Sequence, residues 1–350
     1  MHRIIVPMLV ANLVAAQSQF EVFEDKTHTP EVAHDTTFVS LADADGDGDL
    51  DLFTIGRAVG AATTVQWFRN DGRGRFSSTI PLVTNAATAL ELADVDLDGD
   101  VDVLVVGQPC LLLINDGLGS FVDETPVRIG SVGASDAAFG DLFGNGRMAL
   151  VLGDSVYAND GLGNFADVTA ASLPGGQVGA APSLGDIDGD GDLDIVSADR
   201  VLIGDNSTFV DETTLRLPAG RLPEARSLVD LDGDGSLDIY TGSTALINDG
   251  NGVFADGSGR GLGPGTLTVD IDGDGDEDGV RLGDPLASPD ARPTAFVNDG
   301  LGRFVEDPDR IILEWAGWSG AVGDVDGNGS LDLVVATPSP NSGDLFALTS

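Results

Sequence analysis

A single cysteine, Cys110, stands in 350 residues, so no internal disulfide can staple this chain. Set in the apolar run PCLLLI, it reads as core packing rather than as a reactive nucleophile. Positive charge is scarce too: 17 Lys and Arg face 58 Asp and Glu, a formal charge of −41. That balance excludes a binder of nucleic acid or of anionic lipid, which needs cations to neutralise phosphate. Past the N-terminal segment no apolar run is long enough to cross a bilayer. Histidine occurs three times, and GxSxG, HExxH and phosphate-cradling glycine motifs are all missing, so catalysis has little footing. Aromatics make up only 6% of the chain, against 48 glycines, which suits a fold of many tight turns.

Acid is abundant, and it is patterned. Asp43–Asp51 reads DADGDGDLD, with carboxylates at positions 1, 3, 5 and 9 and Gly48 at position 6. Carboxylates this close repel one another unless a cation lies between them, at roughly 1 kcal/mol per pair at about 4 Å in water. Hard oxygens at alternate positions around a sharp glycine turn match the needs of Ca²⁺. An EF-hand is excluded because position 12 is Thr54 and the flanks alternate as strands do. A stacked nonapeptide solenoid is excluded because the copies lie tens of residues apart.

The proposed ligands in each loop are the side chains at positions 1, 3, 5 and 9 and the backbone carbonyl of position 7. In the first loop these come from Asp43, Asp45, Asp47, Asp51 and Asp49, and in the second from Asp94, Asp96, Asp98, Asp102 and Asp100. The next intact copies use Asp186, Asp188, Asp190, Asp194 and Asp192, then Asp230, Asp232, Asp234, Asp238 and Ser236. The last two use Asp270, Asp272, Asp274, Asp278 and Asp276, then Asp324, Asp326, Asn328, Asp332 and Ser330. A decayed copy begins at Asp141, where Phe143 and Ala149 replace ligands and Arg147 adds positive charge. It is expected to keep the turn and lose the ion. About six structural Ca²⁺ ions are thus expected, with weak affinity on the order of 10⁻⁴–10⁻³ M. They would leave a net charge of about −29.

A second motif interleaves with the first. NDGxGxF begins at Asn70, Asn115, Asn159, Asn248 and Asn298, with a weaker form, GDNSTF, at Gly204. Asp-Gly between apolar runs marks a hairpin, and these segments read as tight turns. One unit is then strand, acidic loop, strand, connection, strand, NDG turn, strand, the content of a propeller blade. Seven units predict an all-β, seven-bladed β-propeller of four-stranded antiparallel blades with calcium-binding hairpin loops. The opening FEVFEDKT matches a fourth strand and the closing LFAL a third, so the N-terminal strand is expected to complete the last blade and close the ring. A linear solenoid would need capping repeats.

The alternating DxDxDGxxD loops and NDGxGxF turns resemble the FG-GAP and VCBS repeats, the family that includes the integrin alpha-subunit propeller. The likeness spans roughly residues 20–350 and implies a β-propeller with Ca²⁺ in its hairpins and roles in adhesion or extracellular recognition. The FG-GAP phrase itself is poorly kept and the integrin accessory domains are absent, so integrin-type ligand binding is not implied.

Residues 1–16 read as a secretory signal, with Arg3, the apolar Ile4–Val14 and a small-residue cleavage site at Val14-Ala15-Ala16. The expectation is a 17–350 propeller, secreted or periplasmic, with neither membrane insertion nor a nucleic-acid partner. Longer connections, His28–Thr37, Leu282–Pro293, Glu306–Ser319 and Thr337–Gly343, are expected on the face opposite the acidic loops, where recognition usually sits. Trp315 and Trp318 lie in one of them and serve either to contact a glycan or protein partner or to pack between blades. The expected function is an extracellular binding or adhesion module for protein or glycan. The alternative is a carbohydrate-active enzyme, a polysaccharide lyase or hydrolase, on the same scaffold.

Overall fold

Short apolar and β-branched runs, many parted by glycine turns, fold into small antiparallel sheets. The computed structural model describes residues 24–25, 35–57, 63–78, 81–85, 87–221, 227–241, 245–257, 260, 266–283, 293–307, 319–336 and 345–349. The signal segment, His28, His34, Trp315 and Trp318 lie outside the described residues.

The first sheet runs Asp35–Ala42, Asp51–Arg57, Thr63–Asn70, Phe76–Ser78. The second is Ala89–Ala93, Asp102–Val106, Leu111–Asn115, Phe121–Asp123, and the third Ala137–Gly140, Ala149–Leu152, Ser155–Asn159, Phe165–Asp167. The fourth takes Ser183–Gly185, Asp194–Val196, Val201–Asp205 and Thr208–Asp211, and the fifth Ser227–Val229, Asp238–Tyr240, Ala245–Asn248 and Phe254–Asp256. The sixth is Thr266–Val269, Asp278–Arg281, Thr294–Asn298, Phe304–Asp307. The last joins both ends of the described chain: Ser319–Gly323, Asp332–Ala336, Leu345–Thr349 and Glu24–Asp25, with Glu24 opposite Thr349.

The expected seven-bladed propeller of four-stranded blades is corrected: the described residues form six four-stranded blades, not seven. The first sheet carries a fifth strand, Val83–Asn85, beside Thr63–Val65. The eight-residue strand Thr63–Asn70 has two short partners on its outer edge, Phe76–Ser78 and Val83–Asn85. Pro81 stands between them, and proline cannot donate to the ladder, so the outer strand is interrupted there. The segment His28–Thr37, expected as a connection, already enters the first strand at Asp35.

The chain divides into two units. One holds the first, sixth and last sheets with turn 116–120, and the other holds the second to fifth sheets. Neighbouring sheets within a unit bury apolar faces on one another. In the first unit, Val39, Leu52 and Phe68 pack with Val325 and Val334, and Leu267 and Val280 pack with Leu333 and Val335. In the second, Val151 and Val156 meet Ile195 and Leu202, and Val196 and Val201 meet Ile239 and Leu246. A single blade is too thin to hide these side chains alone. Each Leu or Ile so covered stabilises the fold by roughly 1.5–3 kcal/mol.

The recurring FxDxT phrase has a local cause. Asp123 Oδ1 accepts both the amide and the hydroxyl of Thr125, whose Oγ1 accepts the Leu112 amide at 2.7 Å. Asp167–Thr169 holds Val156, and Asp211–Thr213 holds Val201, in the same way. Each Thr opens a four-residue helix: Thr125–Arg128, Thr169–Ser172 and Thr213–Arg216. No helix among the described residues is long and apolar enough to cross a membrane.

Candidate metal centres

Each acidic loop hangs between the first two strands of a sheet, so the strands fix where its carboxylates point. In the first loop, the position-1 residue Asp43 folds back on the turn. Its Oδ1 accepts the Gly46 amide at 2.8 Å and its Oδ2 accepts the Gly48 amide at 2.9 Å. Gly48 sits at φ +92°, a conformation in which a side chain is strained. Position 5 closes an Asx turn, with Asp47 Oδ1 accepting the Asp49 amide.

Position 9 is where the loop meets the rest of the blade. Asp51, Asp102, Asp194, Asp238, Asp278 and Asp332 are all buried. In every one, Oδ2 accepts the position-2 amide: Ala44, Val95, Ile187, Leu231, Ile271 and Val325. In five, Oδ1 accepts an amide at the start of the turn between the third and fourth strands: Asn70, Asn115, Gly204, Asn248 and Asn298. Burial nevertheless pushes these carboxyls up, Asp51 and Asp278 to about 6 and Asp102, Asp194 and Asp238 to about 7. Rises of that size disfavour the charged form by about 3–4 kcal/mol per group. A nearby cation would remove that cost.

Position 3 points inward as well. The side chain of Asp45 is 6% exposed. The Oδ1 atoms of Asp45, Asp96, Asp188 and Asp232 are buried without a hydrogen-bond partner. Burial and neighbouring carboxylates raise the pKa of Asp45 and Asp96 despite the arginines beside them. Buried acceptors are normally satisfied, so these atoms are the clearest mark of a seat a cation would fit.

The expected ligands at positions 1, 3 and 9 do converge. Carboxylate oxygens of Asp43, Asp45 and Asp51 lie within 4.8 Å of one another, as do those of Asp94–Asp96–Asp102, Asp186–Asp188–Asp194 and Asp270–Asp272–Asp278. At Asp230 and Asp232 the third member is Asp234, from position 5. Oxygens bound at 2.3–2.6 Å on opposite sides of one Ca²⁺ are about 4.8 Å apart, so the spacing fits. All-oxygen donors select a hard cation.

Position 7 takes another course. Asp192 Oδ2 accepts the Asn206 amide of its own blade's turn at 2.8 Å. In the decayed loop, Asp141 still accepts the Asn145 and Gly146 amides and Asn145 the Arg147 amide. The turn survives without the acids at positions 3 and 9.

The NDG turns do more than reverse the chain. Asn159 is buried and uses its whole amide. Its Nδ2 donates to Met148 O in its own blade and to Val95 O in the acidic loop of the preceding blade, at 3.1 and 2.7 Å. Its Oδ1 accepts Gly161 and Gly163 amides. Asn248 reaches Leu237 O and Ile187 O, and Asn70 reaches Leu50 O and Val325 O, in the same manner. The turn of one blade therefore seats on the acidic loop of its neighbour.

Comparison with known proteins follows this geometry. The FG-GAP-like repeat family matches residues 43–105 and 153–197, and the FG-GAP repeat family matches 316–347. No curated protein matches the sequence. Among solved structures, an Agrocybe aegerita lectin that specifically recognises non-reducing terminal N-acetylglucosamine is similar, at 18% identity and TM-score 0.57. The match covers 91% of this chain and 86% of the lectin. The exotype rhamnogalacturonan lyase YesX is similar at 13% identity and TM-score 0.51, over 99% of this chain and 75% of the lyase. At such identities the likeness speaks for the fold alone. Residues 43–105, 153–197 and 316–347 thus match FG-GAP repeat models, and the described residues are all-β, built of four-stranded antiparallel blades of the propeller kind.

Proposed function

We propose that this chain is an exported calcium-binding module whose ions hold the blades in shape for recognition of an extracellular glycan. The buried Oδ1 atoms of position 3, unpartnered beside two further carboxylates, carry the calcium part. The ligands would be positions 1, 3, 5 and 9 and the position-7 carbonyl of the six intact loops, with the decayed loop left empty. When bound, Ca²⁺ supplies the charge that position 9 lacks in its buried seat.

Glycan recognition draws its support from the likeness to the lectin, the longer of the two fold matches relative to the partner's own length. A protein surface remains within the same reading, and the leader-like residues 1–16 support export. The likeness to the lyase favours a second reading, a polysaccharide-cleaving enzyme. A glycan array run with and without chelator, followed by chain-length analysis of bound glycans, separates them. Calcium-dependent retention without shortening supports the module, and shortened glycans support the enzyme.

A further inference from the structure

Among the described residues, Arg128 and Arg216 each touch a position-3 carboxylate and the next blade's turn at once. Arg128 ends the short helix after the second blade. Its Nε donates to Glu124 Oε2 at 2.5 Å and its Nη2 to Asp96 Oδ2 at 3.1 Å. Its Nη1 donates to the carbonyl of Leu162, in the NDG turn of the third blade. Arg216 repeats the arrangement two blades on: Glu212 at 2.8 Å, Asp188 at 3.0 Å, and the carbonyl of Asn251 in the turn of the fifth blade. Both arginine side chains are only 14% exposed, as are Asp96 and Asp188.

The neighbouring turns are shaped for this. Gly163 and Gly252 have φ of +73° and +72°, and a Cβ on either would run into the guanidinium. In sequence the device reads DETPVR and DETTLR, and the blade with the decayed loop has DVTAAS in its place. Where the position-3 acid is lost, the arginine is lost with it.

We propose that Arg128 and Arg216 are positioning residues that transmit metal occupancy from one blade's loop to the next blade's turn. This rests on the calcium reading above. The arginine takes Oδ2 of the position-3 carboxylate, Oδ1 of Asp96 and Asp188 is buried without a hydrogen-bond partner, and a carboxylate oxygen of each lies within 4.8 Å of those at positions 1 and 9. Asp96 and Asp188 would help hold the ion, and their carboxylates, once held, would steady the guanidinium and with it the carbonyl it binds in the next blade. Lysine cannot substitute, because a guanidinium offers several donors in one rigid plane. The third blade gains most. Its own loop lacks two ligand acids, yet its turn is held to the second blade's loop through Arg128 and Asn159.

The test is amide hydrogen exchange on the full chain, chelated and then calcium-loaded, in wild type, Arg128→Met and Arg216→Met. In wild type, calcium is expected to slow exchange around 162–164 and 251–253 by ~10-fold or more. Arg128→Met should abolish the response at 162–164 and spare 251–253, and Arg216→Met should do the reverse. Bound calcium, counted by equilibrium dialysis, should stay the same in both. Arg128→Lys, milder for folding, should also lose most of the response at 162–164. Undiminished calcium protection there in Arg128→Met or Arg128→Lys would overturn the proposal while leaving calcium binding standing. Wild type that binds no calcium would instead overturn the calcium reading itself.

Discussion

Asp238 Oδ1 accepts the Asn248 amide at 2.7 Å, while its Oδ2 takes the amide of Leu231 at 3.0 Å. One buried carboxylate thereby ties an acidic loop to the turn that follows the neighbouring strand of its own sheet. Asn248 then carries the tie to Ile187 in the preceding blade. Charge, turn and blade contact are parts of one network, and the predictions below follow from it.

Asp194→Asn should separate charge from hydrogen bonding. In calcium it removes a ligand charge and replaces an acceptor with a donor facing an amide, at a cost of about 2–4 kcal/mol. In chelator the same change also removes a buried charge whose pKa stands near 7. The destabilisation in urea should therefore be smaller without calcium than with it.

Metal-free protein should be more stable at pH 5 than at pH 8. Asp51, Asp102, Asp194, Asp238 and Asp278 are raised from 3.8 to about 6 or 7 by burial. Between the unfolded and folded values the native state binds more protons, so stability rises as pH falls through that window. Calcium should cancel the trend, because it favours the ionised form. Melting curves across pH 5–8, with and without EGTA, check the sign.

Asn159→Asp should destabilise by about 2–4 kcal/mol even in saturating calcium. It keeps the size and the acceptor but replaces the Nδ2 donor with an oxygen facing two carbonyls, Val95 O and Met148 O. Urea unfolding against wild type measures it, and Asp160→Asn, in the exposed part of the same turn, serves as the comparison.

Loop identity should show in ion counts. Asp188→Asn should lower bound calcium by one, and Asp141→Asn should leave the count unchanged. Equilibrium dialysis with elemental analysis reads the difference.

Much of this was legible in the chain. Two motifs in strict alternation mark the strands, because DxDxDG and NDG each force a reversal between apolar runs. The clustering of the acids at positions 1, 3 and 9 in four loops could be read because spacing within a loop is a local property. Other features depend on partners far away in sequence. That Asn159 spans blades needs Val95, 64 residues distant. That position 9 accepts two amides needs strand pairing. The fifth strand of the first sheet follows an interruption at Pro81 and has no turn motif to announce it. The arginine clamp did leave a signal, the Arg three residues after the Thr of DET in two blades, but its meaning needs the neighbour's Gly163 and Gly252 in place.

The most direct measurement is a calcium titration of chelated protein at constant ionic strength, following melting temperature and bound ion together. Several ions should bind per chain and melting should rise on the order of 10 °C or more, with sodium at equal ionic strength giving little. No bound calcium, and a melting temperature unmoved between EGTA and millimolar calcium, would contradict the account.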